Sequence, residues 1–163
     1  MKSLRAVIFL SAVLLFPLFI TAVLAGNDKK FSCSESNPQS LCSAATTCGS
    51  PTTPCKVDIK RGASNSATAN PEIPNFKGGK PFCVKVGTSI TFYTTSKNLG
   101  FVLDFGPNGP FENEGAIMGG ADRAVTVVAK KAGCYKYSVG ACAAGAIYGM
   151  CGNSDTELVV SAN

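Results

Sequence analysis

Within residues 56–161, short runs carry apolar residues at every second position, and no long stretch carries the 3.6-residue repeat of an amphipathic helix. That spacing predicts strands. The clearest lies in residues 132–139, where Tyr135, Tyr137 and Val139 share one face and Cys134, Lys136 and Ser138 the other. Residues 124–129, with Val125 and Val127, predict an apolar strand before it, and residues 157–161, with Leu158 and Val160, one after it. Further runs are Val57 and Ile59; Phe82, Val84 and Val86; Ile90, Phe92 and Thr94; and Phe101, Leu103 and Phe105. Gly and Pro signals separate them. Residues 61–81 read as a long loop with one short edge strand, and residues 106–121 as loop. Six or seven short strands over roughly a hundred residues imply an all-β, two-sheet Greek-key sandwich or barrel. These apolar residues from Val84 onward, with the two tyrosines, are its expected core.

The chain begins with Lys2 and Arg5 and then runs apolar and uncharged through residues 6–24. Two cations, an apolar stretch broken by Pro17, and small residues Val23 and Ala25 at its exit predict a cleaved signal peptide over residues 1–25. Its loss leaves 13 basic against 10 acidic residues, scattered along the chain. Nucleic-acid binding needs a concentrated basic face, which is not predicted here. No second apolar run is long enough to cross a bilayer, so stable membrane insertion after cleavage is not expected. An extracellular or periplasmic location is.

All eight cysteines follow the leader: Cys33, Cys42, Cys48, Cys55, Cys83, Cys134, Cys142 and Cys151. An even number in an exported chain predicts disulfides, with about 105 possible pairings. Without a Cys-x-x-Cys or any histidine, a structural zinc site is a poor reading. Residues 26–55 hold four of the cysteines but only Phe31 and Leu41 as apolar anchors, so they predict a disulfide-stapled extension leaning on a domain at 56–163. Cys83 and Cys134 face away from the predicted core. Two of the four N-terminal cysteines reaching them would staple the extension to the outer face; local N-terminal pairing with a Cys83–Cys134 bond is the alternative.

The order of motifs resembles a cupredoxin over residues 56–161. The likeness rests on Val84-Lys85-Val86-Gly87-Thr88-Ser89-Ile90-Thr91-Phe92, on Phe101-Val102-Leu103-Asp104-Phe105, on Ala132-Gly133-Cys134-Tyr135-Lys136-Tyr137, and on the Val-rich terminal strand. The resemblance implies a blue-copper site of two imidazoles, a thiolate and a weak axial thioether. In the aligned register the imidazoles would fall near Phe101 and Cys142 and the thiolate at Val139, with Met150 near the axial place. The chain has no histidine. The expectation is the scaffold without a type 1 copper site and with no cofactor.

Cys142 and Cys151 flank what would be the copper loop. A disulfide between them is favoured over a soft Cu(I) site built with Met150. Asp104, Glu112 and Glu114, with Asn108, form an acidic cluster that a calcium loop or a glycosidase pair would use; turn chemistry around Asn108-Gly109-Pro110 accounts for it more simply. Nucleophile pairs needing histidine are excluded, and no phosphate-cradling or dinucleotide motif is present. Among the aromatic residues, Phe111 and Tyr148 are the expected exposed partner contacts at the vacant copper end. The sequence thus predicts a secreted non-catalytic module that binds an unknown protein or small ligand. The alternative is a metal-handling or redox protein using Cys142, Met150 and Cys151.

Overall fold

The alternation resolves into nine strands among the described residues: β1 (Cys55–Arg61), β2 (Ala67–Pro71), β3 (Phe82–Lys85), β4 (Ser89–Tyr93), β5 (Leu99–Asp104), β6 (Ile117–Gly120), β7 (Val125–Val128), β8 (Gly133–Ala143) and β9 (Cys151–Ser161). The computed structural model describes residues 33, 34, 36–63, 65–112, 115–143 and 151–162. The predicted leader, Phe31, Glu114, Tyr148 and Met150 lie outside the described residues.

Four strands form one sheet in the order β2-β1-β4-β7, and five form the other in the order β3-β9-β8-β5-β6. The pairs β1–β4 and β3–β9 are parallel and the rest antiparallel. Register puts like faces together. Phe82 lies opposite Leu158, Val84 opposite Val160, and Leu103 opposite Val139. From the facing sheet Val57, Ile59, Ile90 and Phe92 complete a core whose members are almost wholly buried. Each such large side chain contributes about 1.5–3 kcal/mol by leaving water. Val86 and Tyr135 pack on this core only partly buried, and Val125 and Val127 are half-buried because β7 lies at a sheet edge.

Two strands fall within the segments read mainly as loop, and one of them is unexpected. β2 is the predicted short edge strand of residues 61–81, and its inward residues are only alanines and a proline. β6 falls inside residues 106–121, where no strand is expected. Glycine there serves close packing: a Cβ at Gly119 would stand 2.9 Å from Phe101 Cε1 and 2.6 Å from the Arg123 carbonyl. The Phe101 ring fills the space, a cross-strand contact that compensates for the missing side chain. β5 stops at Asp104, one residue before Phe105. Gly106 takes a φ of +70°, and its N–H donates to Asp104 Oδ1 at 2.9 Å.

The extension lies on the outer face of the five-stranded sheet. Disulfides join Cys33 to Cys134 and Cys42 to Cys83, while Cys48 bonds locally to Cys55 and Cys142 to Cys151. Residues 46–48 run beside β3: the Cys83 N–H donates to the Thr46 carbonyl and the Cys48 N–H to the Cys83 carbonyl, both at 2.8 Å. An otherwise open sheet edge is thereby closed. Ser34 donates from its backbone N–H to Glu157 Oε1 at 2.8 Å. Residues 156–160 are in consequence buried on both faces, Glu157 included. Leu41 is a half-buried anchor as expected, but Cys48 and Cys55 anchor more deeply, at 2% and 1% exposure.

A chain of rings crosses the core. Phe105 stacks on Tyr137 with centroids 4.2 Å apart, and Phe111 meets Phe105 and Phe92 edge-on at 5.0 and 6.4 Å. The Tyr137 hydroxyl and the Thr156 hydroxyl opposite it on β9 are buried without hydrogen-bond partners among the described residues. Burial holds the Tyr137 phenol well above its ordinary range near 10. An unfolded chain ionises this group from about pH 10 while the folded one does not, so its stabilising share is complete below pH 10 and is lost as pH rises above it. Tyr137→Phe removes a costly orphan hydroxyl and is expected to be neutral or stabilising by about 1 kcal/mol at pH 7. Urea unfolding at pH 8 and pH 11 should show a smaller alkaline loss in the variant; equal losses would refute this account.

Candidate functional site: the β6 end of the sandwich

β5 and β6 meet in register, Phe101 opposite Gly119 and Val102 opposite Met118. That register turns Ile117 and Gly119 towards the core and Met118 and Gly120 outward. Met118 is 65% exposed and Val102 37%, the two large apolar residues that the described surface leaves most open. Val102 leans over Gly140 of β8, where a Cβ would come within 2.8 Å of it. β6 is also the edge strand of its sheet. Its last residue exchanges backbone bonds with Arg123, Gly120 N–H to the Arg123 carbonyl at 2.9 Å and the reverse at 3.0 Å.

The turns at either end of this pair enclose a shallow cleft of about 420 Å³. Lys97, Asn98 and Gly100 line one side, and Met118, Gly120 and Arg123 the other. A second depression of about 240 Å³ opens between β6 and β7, with Ile117, Val125 and Val127 around it and Phe111 at its floor. Met118 and Arg123 border both. The arrangement offers an apolar prominence, close access to glycine backbone and exposed charges, the chemistry of contact with another molecule.

Phe111 is not the exposed contact expected from the sequence. It is 6% exposed, because Phe92 and Phe105 receive its ring between the sheets. Met118, Val102, Lys97 and Arg123 were not singled out by sequence reasoning. The signal available was a lone Met within Ile-Met-Gly-Gly, legible only once that stretch is known to be a strand. The acidic cluster is divided among local tasks: Asp104 accepts from Gly106, and Glu112 lies 3.1 Å from Lys130 Nζ.

Of the positions that the cupredoxin resemblance assigns to copper, the three described ones offer the ion no free ligand. Phe101 and Val139 are buried apolar residues without a donor atom, and the Cys142 sulfur is bonded to Cys151. Elsewhere, Cys33, Cys134 and Glu157 bring potential ligand atoms within 4.8 Å of one another. The two sulfurs are bonded to each other and the carboxylate accepts from Ser34, which makes this a staple of the extension. On the opposite sheet, partial burial followed by the 2.7 Å bond to Glu72 pushes the Tyr93 phenol up to about 12.

No protein-family model matches the chain, and no curated protein matches it significantly. Among solved structures, a reduced Cu(I) form of an amicyanin variant is similar, with 20% identity, 66% of this chain and 82% of that chain covered, and a TM-score of 0.36. An oxidised amicyanin variant is similar at 16% identity, 71% and 93% coverage, and a TM-score of 0.37. Neither likeness reaches a TM-score of 0.5, and the two-sheet strand order described above rests on the chain's own strand pairing.

Proposed function

We propose that this chain is an exported, non-catalytic binding module that meets a protein partner at the β6 end of its sandwich. The observation that carries the reading is Met118, a large apolar side chain held out on an edge strand between two clefts. Single exposed apolar residues are ordinary on protein surfaces. This one joins Val102 and a glycine backbone that a partner can approach closely. Four disulfides support export to an oxidising compartment. A photo-crosslinking residue at position 118 tests the reading against one at Thr91, on the outer face of the other sheet. Selective capture of one partner from position 118 is expected; equal capture from both positions, or none from 118, overturns it.

The second reading is a thiol or soft-metal role for Cys142 and Cys151. Cys151 is exposed, which leaves this bond open to a reductant. Alkylation of the secreted protein, read by intact mass before and after reduction, separates the two. Complete protection before reduction is the expected result. Labelling of Cys142 and Cys151 without reduction would favour the thiol reading and call for a Cu(I) titration.

A further inference from the structure

A third cleft lies far from β6 in sequence, where the extension meets the loop between β2 and β3. Leu41, Ala45 and Thr46 form one wall, and Asn75, Phe76 and Pro81 the other, around about 360 Å³. Lys77 and Lys80 stand at its mouth, both exposed. The volume falls in the range of small-molecule sites, roughly 300–1,000 Å³.

Both walls are fixed by bonds already described or by short local ones. The Cys42–Cys83 disulfide and the backbone bonds of Thr46 and Cys48 hold the extension against β3. Across the cleft, the Phe76 ring meets Phe82 edge-on at 6.4 Å, and the Gly79 N–H donates to the Ala69 carbonyl at 3.3 Å. The Thr46 hydroxyl is spent on the Leu41 carbonyl at 2.6 Å, which leaves the wall mainly apolar. No carboxylate lines the cleft, and neither lysine makes an ion pair among the described residues. A preformed apolar slot with two uncompensated cations at its mouth is complementary to one kind of molecule.

We propose that this cleft binds a small amphiphile with an anionic head, such as a fatty or aryl carboxylate. The apolar body lies along Leu41, Phe76 and Pro81, and the carboxylate sits between Lys77 and Lys80. Two lysines are too few to hold a protein on an anionic bilayer, where larger basic clusters are needed. The site is independent of the protein-partner surface at β6, and failure here leaves that reading untouched.

The test is a titration of ¹⁵N-labelled protein with decanoate below its micelle concentration, with 1-decanol as the uncharged counterpart. Decanoate should give saturable shifts of the Leu41, Ala45, Phe76, Lys77 and Lys80 amides, and decanol should bind about tenfold more weakly. Exposed ion pairs are individually modest, so the double variant Lys77→Glu/Lys80→Glu should lose about tenfold in affinity at an unchanged melting temperature. The site should also weaken with added salt. Equal affinity for acid and alcohol, shifts mapping elsewhere, an indifferent double variant, or binding only to phosphatidylglycerol vesicles would each overturn the proposal.

Discussion

Replacing Cys42 and Cys83 together by alanine should lower stability by about 3–4 kcal/mol, the loop-entropy value for a bridge with a sequence separation of 41 residues. For a domain of this size that is a fall in melting temperature of about 10 °C or more. The physical effect exceeds chain entropy alone. Cys83 is fully buried beneath the extension, and residues 46–48 supply the hydrogen bonds that close the outer edge of β3. Loosening that segment reopens a strand edge, and open edges pair with other chains. Two measurements check the prediction: thermal unfolding of the double variant, and hydrogen exchange at residues 46–48 and 82–84. A variant that melts like the parent, with those amides still protected, would show that the polar segment holds its place without the covalent bond.

The second large effect is expected at Phe111. Its ring is wedged between Phe92 and Phe105, and Phe105 in turn stacks on Tyr137, so Phe111→Ala opens a void beside two aromatic neighbours and loosens the support of a third. Truncation of a buried Phe costs about 3–5 kcal/mol, depending on how far the site collapses. Met118→Ala, at a surface position, should stay within about 0.5 kcal/mol of the parent. Urea unfolding of the two variants separates a packing residue from a contact residue. A Phe111→Ala variant of undiminished stability would return Phe111 to the surface role first expected for it.

The contrast between these residues marks the limit of what the sequence discloses. Strands β3, β4, β5, β8 and β9 are legible because their inward positions carry large apolar side chains in strict alternation, as in Phe82 and Val84 or Tyr135, Tyr137 and Val139. β2 and β6 are harder to read for the opposite reason. Their inward positions hold Ala67 and Ala69 in β2 and, beside Ile117, Gly119 in β6, so neither strand carries two large apolar residues to set a period. Phe111 sits in an irregular segment, and its burial is decided by Phe92 and Phe105, partners at a distance that spacing cannot reveal. The same holds for Met118: its exposure follows from the β5–β6 register and from nothing in its neighbourhood along the chain. The outward orientation of Cys83 and Cys134, by comparison, follows from alternation alone. The structure joins each of them to an N-terminal cysteine.

The disulfide pattern runs against the order of synthesis. Cys33, Cys42, Cys48 and Cys55 all emerge from the ribosome before Cys83 and Cys134, the partners of the first two. Oxidation in order of appearance would join Cys33 to Cys42 and Cys48 to Cys55, and only the second of these bonds is native. Correct assembly therefore requires the first thiols to wait, or a wrong bond to be exchanged once β3 and β8 exist. Wherever Cys33 and Cys42 have joined first, maturation of this chain needs disulfide isomerisation as well as oxidation.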